Sequence, residues 1–450
     1  MKLHQALEVT RGEVLSLIGA GGKTSTLVAL GYELAEMGWR VLATTTTRIG
    51  QNQLDFFPHA SPYRISGQTL SALLNEHRFV FLHDDIRGGK VYGPAPAWIP
   101  NLLDATDSDI LLIEADGARS LPLKAPLLHE PVIPPETTLV VPIASMSALG
   151  QPLDDEHVYN AKAIIERYGF MEGSRIKSPW LAQVLRDEEL GLKDVPLKAR
   201  VIALLNSTPA SGYVRGRARL TARLILREPR VQGVALGSVR ASNPIYEVQR
   251  NVGAVVLAAG KSSRMGQMKV LLPWVDNKTI LEHIIDQLTL AHVDHICVVT
   301  GHQSKQVSEC AKTAGVETVY NASYASGEML SSLKLGLKAM PSNVSAVLVV
   351  LGDQPRIQPK TITQVLMAYA EGTGQIIAPS YQMRRGHPIL IDRRFWQEIM
   401  ALPDGGAPRE VLNAHPDKIA YVEVDNDSIL ADVDTPDDYQ RERDKAGLDT

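Results

Sequence analysis

The sequence predicts an α/β protein built from two doubly wound domains, and three observations carry that prediction. Short, almost wholly apolar runs alternate with amphipathic stretches along the chain, as buried parallel strands and their crossover helices require. The alternation completes itself once and then restarts after residue 251. At 450 residues, the chain also exceeds the size at which a single hydrophobic core usually keeps growing.

In the first series EVLSLIGA (13–20) reads as a strand, KTSTLVALGYELAEMG as a helix and RVLATTTT as the next strand, which together make a βαβ unit. FVFLHDD (79–85), DILLIEADG (109–117), TLVVPIASM (138–146), RVIALLNS (200–207) and VQGVALGSV (231–239) are further strands. The second series has GAVVLAAG, DHICVVTG and SAVLVVLGD as strands, with TILEHIIDQLTLA and GEMLSSLKLGLKAM as helices. The polar, Pro-containing stretch from Asn243 to Asn251 is the expected joint, giving domains 1–242 and 251–450.

Composition is that of an ordinary globular protein, with 44% hydrophobic and 21% charged residues. A net charge of −4 gives no basic footprint for nucleic acid. Cys297 and Cys310 are the two cysteines, so a disulfide framework is excluded and a reducing, cytoplasmic compartment is expected. No apolar run reaches membrane-spanning length. GxSxG and HExxH patterns do not occur, and His292 and His295 precede a strand without a CxxC-type pair, so zinc is not expected.

Two loops carry chemistry. LAAGKSSRMGQMK (257–269) follows a strand, and after Leu257 the small residues Ala258, Ala259 and Gly260 let backbone N–H groups approach an anion, while Arg264 and Lys269 can neutralise a polyphosphate. A glycine-rich turn bearing surface cations has the same composition. Asp353 in VLVVLGDQP ends a buried-looking strand, and Asp432 and Asp434 in ILADVDTPDDY end a short apolar run. These oxygen ligands suit Mg²⁺, although Asp434 before Thr435 would equally serve a helix start. Together the residues describe nucleotidyl transfer, in which a nucleophile displaces pyrophosphate from a nucleoside triphosphate.

The segments LAAGKSSRMGQMKVLLPW, SGEMLSSLKLGL, LGDQP, RRGHPIL and DVDTPDDY occur in the order found in molybdenum cofactor cytidylyltransferases. Residues 252 to 442 resemble that family, a branch of the MobA-like nucleotidyltransferases with a Rossmann-like fold. The resemblance implies transfer of CMP from CTP to molybdopterin, with Arg264 and Lys269 holding the triphosphate. It also implies Asp353 on Mg²⁺, Asp432 as the preferred second ligand and Asp434 close behind. Ser326, Gly327, Ser331 and Ser332 would approach the nucleotide, His387 and Arg409 the acceptor. Alanine at position 259, where guanylyl-transferring relatives carry glycine, implies CTP over GTP. The chain's PDGGAPRE, with Pro408 before Arg409, departs from the family's usual turn. Transfer to a sugar phosphate or other phosphorylated acceptor is the alternative reaction, and a cofactor carrier or chaperone the alternative class.

Upstream, IGAGGKTST (18–26) is a shortened phosphate loop, Leu17 standing where a full GxxxxGK[ST] has glycine. Gly19, Gly21 and Gly22 permit a tight anion-cradling turn, Lys23 can reach phosphate oxygens, and Thr24 or Ser25 can contact Mg²⁺. Glu114 and Asp116 end another strand and could face a metal-bound nucleotide, or simply close a turn at Gly117. LLNST (204–208) is similar to a guanine-recognition loop, but Pro209 stands where its Asp belongs. Through IGAGGKTSTL, TTTTRI, EADGARSLPLKAP and HEPVIP this half resembles the YqeC family of selenium-dependent hydroxylase accessory proteins. That resemblance implies a P-loop-like nucleotide-binding domain and an apo molybdenum hydroxylase as client. Two proteins of one pathway, joined in one chain, account for two phosphate loops.

Overall fold

The structure is a computed structural model that describes residues 1–325 and 329–448. It divides into two compact units, Met1–Arg250 and Asn251–Thr450. Each is an α/β unit with a mostly parallel mixed sheet.

The sheet of the first unit has nine strands in the order Ile245–Gln249, Val231–Gly237, Arg200–Asn206, Leu139–Ser145, Glu13–Gly19, Ile110–Glu114, Val41–Thr45, Phe79–His83 and His59–Pro62. All pairings are parallel except that of the first two strands. Glu13–Gly19 lies at the centre, Leu15 opposite Leu139 on one side and Leu112 on the other. Successive residues of this strand enter different cores, Leu15 and Leu17 packing with Leu27, Leu30 and Phe79, and Val14 and Ile18 with Leu111, Ile113 and Val140. Burial on both faces is why the central strands read as unbroken apolar runs.

The expected joint is corrected here. Ile245–Gln249 is not linker but the antiparallel edge strand of the first sheet, so the unit runs to Arg250 rather than 242. Glu247, 0% exposed, is held by Arg219 at 2.8 and 3.0 Å and by Arg215 at 3.2 Å, both on the helix Tyr213–Ile225. A buried glutamate breaks the apolar alternation that would have announced a strand.

The second unit carries an eight-stranded sheet whose main order is Glu317–Tyr320, His295–Thr300, Val252–Ala258, Ala346–Leu351, Ile389–Asp392 and Ile376–Tyr381, with Ile419–Glu423 and Arg384–Arg385 also paired to the last. The first four run parallel. Ile389–Asp392, however, lies antiparallel to both its neighbours, so this sheet is mixed rather than purely doubly wound. The chain reverses at Gln382 and Met383, both with positive φ, and such a two-residue hairpin can return only antiparallel. Among the described residues no helix is long and apolar enough to cross a membrane.

Candidate functional sites

In the second unit the central strands Val252–Ala258 and Ala346–Leu351 end in register, Leu257 opposite Leu351, at the carboxyl rim where open α/β sheets take ligands. Gly352 donates its N–H to the Leu257 carbonyl at 3.1 Å, and a Cβ on Gly352 would stand 2.7 Å from that oxygen, so the two loops meet backbone to backbone. Beyond them lies a cavity of about 280 Å³ lined by Leu257, Ala258, Gly260, Arg264, Lys269, Asp353 and Asp434 among others.

Lys269 is the hub of this cavity. Its ammonium donates to Asp434 Oδ1 at 2.5 Å and to Asp353 Oδ2 at 3.2 Å, while Arg264, largely exposed, donates to Asp434 Oδ2 at 3.0 Å. The Ser262 hydroxyl accepts from the Lys269 backbone N–H at 3.2 Å and so fixes the loop to the lysine. Burial pushes the Asp353 carboxyl above the usual range, Lys269 opposes the rise and Asp432 adds to it. Burial pulls Lys269 down, but its hydrogen bond to Asp434 and the charge of Asp353 outweigh it, so the ammonium is held on.

Other expected residues have different surroundings. The Asp432 side chain is exposed and accepts from Gln354 Nε2 at 2.7 Å, outside the cavity lining but close enough to act on Asp353. Ala259 packs beside Gly301, where an added Cβ would come within 2.9 Å of its own Cβ. The hydroxyls of Ser331 and Ser332 accept from Asn321 Nδ2 at 2.9 and 3.0 Å. His387 directs Nδ1 to the Val349 carbonyl at 3.2 Å, and burial lowers its pKa despite Asp432. Arg409 is exposed at the start of the helix Arg409–Ala414. Ser326 and Gly327 lie outside the described residues. Lys261, Ser262 and Gly352, which had no expected role, also line the cavity; Lys261 and Gly352 are next in sequence to Gly260 and Asp353, and Ser262 accepts from the Lys269 N–H.

Among the described residues no group of three or more His, Cys, Asp or Glu side chains is arranged to hold a metal ion. Asp353 and Asp434 nevertheless fit Mg²⁺, which is commonly bound by one or two carboxylates together with substrate phosphates and water. The half-buried Asp353 carboxylate, raised by desolvation, is a group that a dication would relieve.

The first unit places its glycine loop between Glu13–Gly19 and the helix Lys23–Glu36. Gly22 has φ 140°, and a Cβ there would lie 2.2 Å from Asn206 Nδ2. That amide donates to the Gly21 carbonyl at 2.7 Å, and Asn206 Oδ1 accepts from the Val239 N–H at 3.1 Å. Asn206 therefore ties the loop to the ends of two more strands. Lys23 Nζ donates to the Gly19 carbonyl at 2.6 Å and stands 3.1 Å from Asp116 Oδ1 and 3.9 Å from Glu114. Thr24 donates to Glu114 Oε2 at 2.7 Å, and Gly19 N–H to Asp116 Oδ2 at 3.0 Å. The expected residues Gly19, Gly21, Gly22, Lys23, Thr24, Glu114 and Asp116 thus form one cluster. Ser25, on the same helix, is half-buried.

Burial raises the Glu114 carboxyl, with Lys23 opposing and Asp116 adding. For Lys23, burial lowers the pKa and the charges of Asp116 and Glu114 more than restore it. Two members of the cluster were not legible in the sequence: Lys124, whose ammonium meets Asp116 Oδ2 at 3.0 Å, Glu130 Oε2 at 2.8 Å and the Gly117 carbonyl at 2.6 Å, and Glu130 itself. A lysine between Leu123 and Ala125 has no local pattern to mark it, and its partner enters from six residues further on.

Residues 15–162 match the YqeC protein family, and residues 254–419 match the MobA-like NTP transferase domain. The uncharacterized protein YqeC of Escherichia coli K12 is 32% identical over 44% of this chain and 76% of its own length. The molybdenum cofactor cytidylyltransferase of the same strain is 30% identical over 42% of this chain and 93% of its own. Of solved structures, Rv0371c from Mycobacterium tuberculosis H37Rv aligns at 27% identity and a TM-score of 0.38, covering 44% of this chain and 99% of that one. Its manganese complex aligns at 26% identity and a TM-score of 0.36, covering 43% and 98%.

Proposed function

Since the chain belongs to the YqeC family through its first half and to the MobA-like NTP transferases through its second, we propose that it transfers CMP from CTP to the terminal phosphate of molybdopterin, releasing pyrophosphate. The first half is proposed to bind a nucleotide in an accessory role in molybdenum hydroxylase maturation. The observation that carries the transferase reading is the convergence of Lys269, Arg264, Asp353 and Asp434 on one cavity at the carboxyl rim of the sheet.

In the proposed reaction an oxygen of the acceptor phosphate forms a bond to the α-phosphorus of CTP while the bond to the α,β-bridging oxygen breaks, the electron pair leaving with pyrophosphate. Lys269 and Arg264 neutralise charge that builds on the phosphates, and the backbone at Ala258 to Gly260 lies against them. Asp353 and Asp434 would hold Mg²⁺, which when bound supplies further charge neutralisation. Asp432, hydrogen-bonded to Gln354, acts on Asp353 from outside the cavity.

Pyrophosphate release, measured with molybdopterin and each nucleoside triphosphate in turn, tests the reading. CTP is expected to turn over well and GTP poorly. Equal turnover with GTP, or greater turnover with a sugar phosphate than with molybdopterin, would refute the assignment.

A further inference from the structure

Resting on the reading of Gly19 to Ser25 as a phosphate loop, we propose that Lys124 is a second phosphate-binding lysine of the first unit. Lys23 and Lys124 together grip the terminal phosphate of a magnesium-bound nucleoside triphosphate, and Asp116 fills that place in its absence.

Two ammonium groups approach the two oxygens of one carboxylate, Lys23 at 3.1 Å from Asp116 Oδ1 and Lys124 at 3.0 Å from Oδ2, and the Gly19 N–H donates to Oδ2 as well. Two lysines and a loop amide converging on a pair of anionic oxygens are the donors a phosphate takes at such a loop. Asp116 is 2% exposed, so both ammonium groups are held against it away from water. Asp116 and Lys124 also share, with Gly19, the wall of a cavity of about 20 Å³.

Calorimetry on the full chain with ATP, ADP, GTP and GDP in the presence of Mg²⁺ tests this, the heat that disappears in Lys23→Met being assigned to the first unit. For that component, triphosphates are expected to bind about tenfold or more tighter than diphosphates. Lys124→Met combined with Glu130→Gln, which removes both partners of the pair, is expected to erase most of that ratio by weakening triphosphate binding, and Lys124→Arg to retain it. Equal affinity for triphosphate and diphosphate in the unaltered chain overturns the proposal even if the double variant does not fold, and so does an unchanged ratio in a folded double variant. Should Lys23→Met leave all binding intact, the phosphate-loop reading falls too. Lys23-sensitive binding with a ratio indifferent to Lys124 removes the second lysine alone.

Discussion

Replacing Lys269 with methionine keeps roughly the length of the side chain and removes a cation that touches both Asp353 and Asp434. Its two hydrogen bonds, at 3.2 and 2.5 Å, lie in a site where the lysine side chain is 14% exposed but the aspartates are 30% and 44% exposed, so solvent screens much of their stabilising effect. The folding cost is expected to be about 1 kcal/mol, which lowers Tm by about 2 to 4 °C in a unit of this size. Catalysis should suffer far more. Loss of one preorganised cation at a site of developing phosphate charge typically costs about 3 kcal/mol, or more than a hundredfold in rate. Stopped assays of CTP-dependent pyrophosphate release beside a thermal melt separate the two effects. A variant that melts within a few degrees of the parent and turns over within about tenfold of it would refute the placement of the reaction at this cavity.

Three further outcomes follow from particular residues. Gly22→Ala would force a Cβ to 2.2 Å from Asn206 Nδ2 at a φ of 140°, so nucleotide binding by the first unit should be lost while pyrophosphate release persists. Burial pushes the Cys297 thiol up to about 11, so at pH 8 it is almost wholly protonated and enclosed; it should be alkylated no faster than the second unit unfolds, and rapid labelling of the native chain would contradict its packing. A fragment beginning at Asn251 should keep CTP-dependent turnover, whereas a first-unit fragment ending at residue 242 should melt well below one ending at Arg250, because it loses Glu247 and leaves Arg215 and Arg219 without that carboxylate.

Much of this architecture could be read from the chain because the central strands are buried on both faces and therefore announce themselves as apolar runs. The loops at their ends were legible for the same reason: Arg264, Lys269 and Asp353 stand where a strand stops and small residues begin. What escaped depends on partners distant in sequence. Glu247 looks like a linker residue until Arg215 and Arg219 are brought beside it. Lys124 is unremarkable until Asp116 and Glu130 surround it. Spacing before Thr435 favoured Asp432, but Asp434 meets Lys269 while Asp432 accepts from Gln354; residues two apart share a face in a regular strand, and residues 431–434 form none. The antiparallel strand Ile389–Asp392 was hidden because RRGHP reads as loop, and nothing local distinguishes a return beside one strand from a return beside another.

Asn206 has a consequence of its own. One amide side chain fastens the Gly21 carbonyl to the Val239 N–H, so the glycine loop and the far end of Val231–Gly237 share a fastening. A phosphate that stiffens the loop must then slow the fraying of that strand and of Ile245–Gln249 paired to it. Nucleotide occupancy of the first unit should accordingly be written into amide hydrogen exchange at the sheet's outer edge, with protection rising at Val234, Leu236 and Val248 and the effect vanishing when Asn206 is replaced by alanine.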